Sequence, residues 1–478
     1  MSPERADAVV VGGRCAGSAT AIALARAGRH VVVLDRVAFP ADTISTHLLW
    51  PSGVAELQAL GALDRVRTLG APPLRHALAG GSGHTVRARF PAIDGVDHAL
   101  CVRRAGLDAA LLATAREVGA DARERARVTG LVREGGRVTG VRWEDDVGEE
   151  RELHAPLVIG ADGRRSTVAR LVGAEAPLRS RRSGRACFYA YWRDADPGWR
   201  DVAAQWRVGS ELGTAFPCDG GLVLVLLQPS GERAEEFRSD LEGTYRASVA
   251  AIPDLAERLR GSELASKVRS ATGIESYFRR AAGAGWALAG DAGHFKDPVT
   301  AQGIRDALRY GRLLGDTAAP LLDDPVRLDG ALRAWARRRE LECLEVYQWT
   351  DRLARAEPMT PLEVELYRRA ARDERLASEF LDVFCRVRLP SRLLTVRRLV
   401  SLAAGALRRG HGGSRLAVAR AIRGEAAIAL ADLRERRAVR SAPHPGLAAP
   451  EREPSRGPMQ DQGPRWTRER DHAVSPRY

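Results

Sequence analysis

The chain has 478 residues, more than one ordinary core accommodates, so about two or three domains are expected. The formal charge of +13 points toward nucleic acid until its distribution is read: residues 391–478 hold 18 Arg against 8 acids, and the remainder is close to balance. Six scattered cysteines with no Cys-x-x-Cys pair argue against a disulfide framework or a metal cluster and fit a reduced, cytoplasmic protein. No apolar run approaches membrane-spanning length.

Ala8–Val11 reads as a buried strand with no signal peptide ahead of it, followed by a Gly-rich turn over 12–17. An Ala-rich helix over 16–27 ends at Gly28, and His30–Leu34 is a second strand closed by Asp35, which makes a βαβ opening. Residues 71–100 carry Pro72-Pro73, Gly clusters and a weakly alternating stretch at 85–90, an excursion into β structure. Leu107–Val118 has the period of an amphipathic helix. Residues 128–143 read as a hairpin turning at Gly135-Gly136, and 156–161 as another buried strand. From 181 to 275 short strands alternate with Gly and Pro turns, which predicts an antiparallel sheet. Residues 286–289 return to a buried strand and 302–315 to a helix. Residues 326–440 are almost wholly helical, and 441–478 have the composition of a disordered tail.

Three of these strands run into small residues, and two of them into an acid as well. Val11-Gly12-Gly13-Arg14-Cys15-Ala16-Gly17 occupies the strand–turn–helix position of a dinucleotide fingerprint, with Asp35 near the spacing of the acid that holds a ribose. Arg14 stands where the middle glycine belongs. It either blocks close approach to phosphates or offers them a guanidinium. Val158-Ile159-Gly160-Ala161-Asp162-Gly163 and Leu288-Ala289-Gly290-Asp291 repeat the apolar-to-acid ending, and the second runs on through His294, Lys296, Asp297-Pro298 and Gln302-Gly303-Ile304.

In this order the motifs resemble the FAD-dependent monooxygenase superfamily of para-hydroxybenzoate hydroxylase type, which includes geranylgeranyl reductases, over about residues 1–345. The stretches 39–54 and 296–304 are similar to one bacterial subgroup of FAD oxidoreductases. The resemblance implies an α/β Rossmann-type FAD-binding domain built from three separated segments (1–72, 100–180 and 276–325). It also implies a β-sheet substrate domain of α+β character (73–99 and 181–275) and a C-terminal helical region. Gly12, Gly13, Arg14, Ala16 and Gly17 would line the pyrophosphate, with Asp35 and Arg36 at the adenosine ribose. Arg104 is either a cofactor contact or a surface Arg at a helix start. Asp162 and Gly163 would serve FAD and the nicotinamide donor, and Asp291 the ribityl chain. Pro298, Gln302, Gly303 and Ile304 would bring a helix N-terminus to the isoalloxazine, where it stabilises the charge of reduced flavin.

The implied reaction is NADPH- or NADH-dependent hydroxylation of a small organic substrate with molecular oxygen, through a flavin C4a-hydroperoxide, of the kind used in specialised metabolism. Reduction of a carbon–carbon double bond is the alternative. The Trp-x-Trp-x-Ile-Pro pattern of flavin halogenases is absent, and no metal is signalled. His47, His294 and Lys296 are the candidates for catalysis; Lys267 and Lys296 are the only lysines of an Arg-rich chain. Each also has a structural reading, as a loop hydrogen bond or a salt bridge. Cys15 is read as helix-start packing. The aromatics Phe188, Tyr189, Tyr191, Trp192, Trp206 and Phe216 line the substrate pocket or fill the core. Leu399, Val400, Ala403 and Leu407 form an apolar stripe beside Arg392, Arg397, Arg398, Arg408 and Arg409. That stripe is either ordinary packing or a peripheral membrane contact within 391–440. Nucleic acid is the weaker partner.

Overall fold

The computed structural model describes residues 4–410 and 415–441. All but Ser441 of the stretch expected to be disordered lies outside the described residues. The chain is a mixed α/β protein with two principal sheets and a C-terminal helical region.

The first principal sheet has six strands in the order Ala282–Gly283, Trp286–Leu288, Val158–Gly160, Ala8–Val11, Val31–Asp35 and Asp121–Glu124. All neighbours are parallel except the first pair. Parallel strands buried on both faces read as continuous apolar runs, as Val31–Leu34 does. The strand before the glycine turn and the two strands that end in Asp162 and Asp291 are adjacent, and Val11, Gly160 and Leu288 share one register. Parallel direction therefore delivers all three endings to one sheet edge.

Helix Cys15–Arg26 lies against this sheet and against helix Gly303–Ala318. The two helices approach closely because Gly311 and Gly315 face the first helix. A Cβ on Gly311 would sit 2.5 Å from the Ala16 carbonyl oxygen, and one on Gly315 2.6 Å from Ala23 Cβ. Small side chains thus do the packing that the few aromatics cannot.

The second sheet contains Cys187–Arg193, Leu222–Leu227, Glu211–Pro217, Val202–Val208, His76–Gly81 and His84–Arg89, in that order. It is not wholly antiparallel, because Val202–Val208 pairs in parallel with His76–Gly81. Strand alternation sorts its aromatics. Tyr189, Tyr191 and Phe216 pack on the side of Trp50, Ala301 and Phe384, whereas Phe188, Trp192 and Trp206 face the other way. That outer face explains three helices the strand-like pattern had hidden, Ala234–Ser239, Leu241–Ala250 and Pro253–Arg258. Tyr245, Val249 and Leu255 cover the apolar side chains that would otherwise meet water. Their start signals are legible in retrospect: Asp240 accepts from Gly243 N–H at 2.9 Å, and Pro253 opens the last of them.

Helix Pro325–Ala354 begins at an Asp324 cap and packs against helix Gly303–Ala318 and the edge strand Ala282–Gly283. Trp335 Nε1 donates to the Tyr310 carbonyl at 3.0 Å, and the Thr350 and Thr300 hydroxyls meet at 2.8 Å. Helices Pro361–Ala370 and Glu374–Phe384 close over the second sheet at Ala79 and Val86.

Candidate functional site

The shared sheet edge gathers the Gly12 turn, Ala161-Asp162 and Gly290-Asp291. The turn is tight for a steric reason. Gly12 has φ +103°, and a Cβ there would lie 2.5 Å from the Ala161 carbonyl oxygen. A Cβ on Gly17 would overlap the Gly12 carbonyl oxygen and lie 3.1 Å from Val10 Cγ1. Asp35 stabilises the turn: its Oδ2 accepts from Gly13 N–H at 2.7 Å and its Oδ1 from Val37 N–H at 3.0 Å. Ala16 is buried in the first helical turn beneath Gly290, and Arg36 is exposed after the strand. No side chain caps helix Cys15–Arg26, and its first turn holds no acid, so its N–H groups and positive dipole end are open to an anion.

Arg14 resolves differently from either sequence expectation. Its guanidinium bonds Asp108 at 2.6 Å and the Ala41 carbonyl at 3.1 Å, and it lies over the Phe39 ring. Arg104 holds both oxygens of the same buried Asp108, at 2.9 and 3.0 Å. Asp108 is thus the pin that joins the glycine turn, the 39–42 loop and helix Arg104–Glu117. Sequence reasoning passed over it, although the spacing Arg104–Asp108 is that of an i,i+4 pair. Cys15 Sγ also donates to Asp108, at 3.2 Å, and burial pushes this thiol well up rather than down, so it is a packing group.

Asp162 accepts from Ser166 Oγ at 2.5 Å and from Thr167 N–H at 2.6 Å, where it shapes the start of a short helix; burial raises its pKa. Gly163 has φ +82° and open space on its Cβ side. Asp291 is half-buried, with no side-chain partner among the described residues. Burial raises its pKa against the pull of Arg104, Arg164 and Lys296. Asp297 accepts from Val299 N–H at 2.9 Å through one oxygen, while the other is buried and unpaired. Pro298–Thr300 forms a single turn, Ala301 has φ +51°, and helix Gly303–Ala318 follows with no side-chain cap. Gln302 donates to the Phe384 carbonyl at 2.8 Å, and its Oε1 is left unpaired. Ile304 belongs to the core.

Lys296 and His294 come together beside this helix start. Lys296 Nζ is within 3.2 Å of His294 Nε2 and forms an ion pair with Asp306. Burial pushes the Asp306 carboxyl up, yet Lys296, Arg386 and Arg305 together hold it well below the usual range. Burial and Lys296 push His294 well down, so it is neutral and stacks on Phe278. His294, Asp306 and Cys343 have ligand atoms within 4.8 Å of one another. Asp306 is already bound by three cationic side chains, whose charge opposes a metal ion. Asp306 and Arg386 were not anticipated, because no local pattern ties residue 386 to this site.

His47 is separate from that cluster. It has φ +60°, is fully buried, and has an unpaired Nδ1; its Nε2 meets the Tyr191 hydroxyl at 2.5 Å. Burial, then Arg104, Arg103 and Arg269, push its pKa down to about 3, so its imidazole is neutral. Tyr189 and Tyr191 belong to the same apolar cluster as Ala301.

Residues 5–315 match the FAD binding domain family. The chain is a member of that family. The flavoprotein is 28% identical over 339 residues to a menaquinone reductase of Mycolicibacterium smegmatis, covering 65% of this chain and 76% of that one. It is 28% identical over 362 residues to digeranylgeranylglycerophospholipid reductase 2 of Methanopyrus kandleri, covering 72% and 84%. Among solved structures it resembles the myxobacterial chondrochloren halogenase CndH, an FAD-dependent halogenase, at 24% identity and TM-score 0.67, covering 82% and 99%. It is an FAD-dependent oxidoreductase whose relatives include both reductases and halogenases.

The sheet edge suits FAD on its own evidence. Two uncapped helix N-termini, a Cβ-free cradle at Gly12 and Gly17, open space at Gly163 and Gly303, and the unpartnered Asp291 match its pyrophosphate, ring and hydroxyls. Beyond the Pro298–Thr300 turn lies a cavity of about 870 Å³, walled by Leu212, Val299, Trp349, Leu366, Phe384 and Leu402 among others. Its Arg207 and Glu363 pair with each other at 2.9 Å. A second cavity of about 400 Å³ lies across Phe380 and Phe384, against Trp50 and Phe216.

Proposed function

We propose that this flavoprotein is a NAD(P)H-dependent reductase of a carbon–carbon double bond in an elongated apolar substrate. The observation that carries this reading is the cavity of about 870 Å³, whose Val299 belongs to the turn expected against the isoalloxazine. Its lining is dominated by Leu, with Phe380, Phe384 and Trp349 among the rest, as suits an apolar ligand. Of the charged groups on its wall, Arg207 pairs with Glu363, Glu425 with Arg352, and Arg185 is held by the Leu353, Ser210 and Gln228 carbonyls. Relatives named for menaquinone and digeranylgeranylglycerophospholipid reduction point the same way.

Bound FAD supplies the two-electron chemistry. Lys296 and the N-terminus of helix Gly303–Ala318 favour negative charge at their side of the site, and Gln302 anchors the turn to Phe384. Neutral His47 holds the Tyr191 hydroxyl on the inner face of the second sheet. His47 is therefore proposed to position Tyr191, and His294 and Lys296 to set the charge beneath the turn.

Hydroxylation of the same substrate with molecular oxygen is the second reading. It is favoured by the water-poor wall of Tyr189, Phe216, Leu224 and Leu226, since oxygen activation needs a dry site. The test is single turnover of the reduced holoprotein with short-chain menaquinone and geranylgeraniol as probes. Anaerobic reoxidation of the flavin is expected, with geranylgeraniol, or menaquinone returned to its quinone form in air afterwards, heavier by two hydrogens. Product that forms only with oxygen, and is heavier by one oxygen atom, overturns reduction in favour of hydroxylation.

A further inference from the structure

Helix Val396–Arg409 begins at a Thr395 cap and has three distinct sides. Leu402 and Ala406 are buried against helix Pro361–Ala370 and its neighbours, and Ala403 is buried at the border of this side with the exposed one. Leu399 and Leu402, with Leu393 and Leu394 of the preceding segment, also line the cavity of about 870 Å³. On another side Val396, Val400 and Leu407 are 79%, 64% and 42% exposed. At 3.6 residues per turn, these three fall within about 40° of one another around the axis, so they make one stripe. Val387 and Leu389, on the turn that leads in, are likewise exposed.

The third side is basic. Arg397 and Arg408 lie about 100° round from Val396 by the same geometry. With Arg392 they have no ion pair among the described residues. Their neighbours behave otherwise: Arg398 binds Glu379 at 2.7 Å and Arg409 reaches Glu365 at 3.7 Å. Arg397 and Arg408, exposed and without a carboxylate partner among the described residues, thus lie directly beside the exposed apolar stripe.

Nucleic acid offers phosphates to Arg392, Arg397 and Arg408 and nothing to the apolar stripe. An anionic bilayer offers both, with headgroup charge above and acyl chains below. We infer that the Pro390–Arg409 edge docks on an anionic lipid surface, and that the cavity it walls takes its apolar substrate from there. The route into the cavity rests on the apolar-substrate reading; the docking itself does not.

The test uses the full-length holoprotein, sedimented with vesicles of phosphatidylcholine alone or mixed with phosphatidylglycerol. Binding to the anionic vesicles is expected, weakening as salt is raised. The pair Val396→Glu and Val400→Glu should lower that binding by at least about tenfold. The triple change Arg392→Gln, Arg397→Gln and Arg408→Gln should abolish the preference for phosphatidylglycerol. All five side chains are exposed, so retained flavin absorbance serves as the folding control. Three results overturn the inference: wild type left in the supernatant, Glu variants that bind as wild type does, or duplex DNA that competes equally for wild type and Glu variants. The last is the nucleic-acid outcome. Sedimentation reads no chemistry, so it and the reduction assay fail independently.

Discussion

Gly303→Ala separates what the fold needs at the start of helix Gly303–Ala318 from what the cofactor needs there. A Cβ built on Gly303 has no atom within 4 Å, so the protein itself has room for the methyl group. Ala forms helix better than Gly by about 1 kcal/mol in a helix interior, and it lowers unfolded-state entropy by about 0.4–1 kcal/mol where the backbone tolerates it. The apoprotein should therefore melt at the same temperature or up to about 2 °C higher. FAD should respond oppositely, because the empty space is where the ring is expected to meet the uncapped helix end. Loss of that helix-end interaction costs about 0.3–2 kcal/mol, which is a rise of about 2- to 30-fold in Kd. Fluorescence titration of apoprotein with FAD, beside thermal melts of the apo and holo forms, reads both effects. A more stable apoprotein with unchanged FAD affinity refutes the placement of the ring at this helix. A less stable apoprotein refutes the open space.

Gly17→Ala should behave in the other way, because its Cβ overlaps the Gly12 backbone itself. Overpacking of this kind costs about 1–3 kcal/mol or more, and the purified protein should be colourless or insoluble; a yellow, stable variant counts against the tight turn. Asp306→Asn leaves Lys296, Arg305 and Arg386 without their counter-ion, so destabilisation of about 3–5 kcal/mol is expected. Since the folded carboxyl titrates below its unfolded value, that difference is complete above the unfolded pKa and shrinks only as pH falls through the lowered folded value. Urea melts from pH 5 to 8 should give one constant gap between wild type and variant; a gap that closes within that range contradicts the paired-anion assignment. His47 is held neutral, with its pKa down at about 3 from 6.5, so its contribution is present above pH 6.5 and is lost as pH falls toward 3. His47→Asn suits the positive φ and removes this titration. The variant's stability should fall less steeply than wild type's between pH 6.5 and 4, and parallel curves refute the buried neutral imidazole.

The FAD-binding family was legible because its signals are local. A glycine turn after a buried strand, and an acid at the end of the next, follow from steric limits within a few residues. The same pattern recurred at Asp162 and Asp291, and parallel pairing of three adjacent strands brought all of it to one edge. Arg14 was legible as an irregularity, but its purpose was not. Its partner Asp108 lies 94 residues away, and only the packing of helix Arg104–Glu117 on the turn makes them a pair. The three helices within 181–275 went unread because the strands around them dominate the periodicity.

Composition and motif order by themselves determined an FAD-binding α/β protein with a helical C-terminal region, because backbone turns and strand endings are set by nearest neighbours. Tertiary structure alone decided the remainder. It joined His47 to Tyr191 across 144 residues and gathered Lys296, Asp306 and Arg386 into one ion cluster. It also divided one amphipathic helix between a cavity wall and an exposed stripe. Each of these depends on which distant surfaces meet, and burial then sets the charge state of what they enclose.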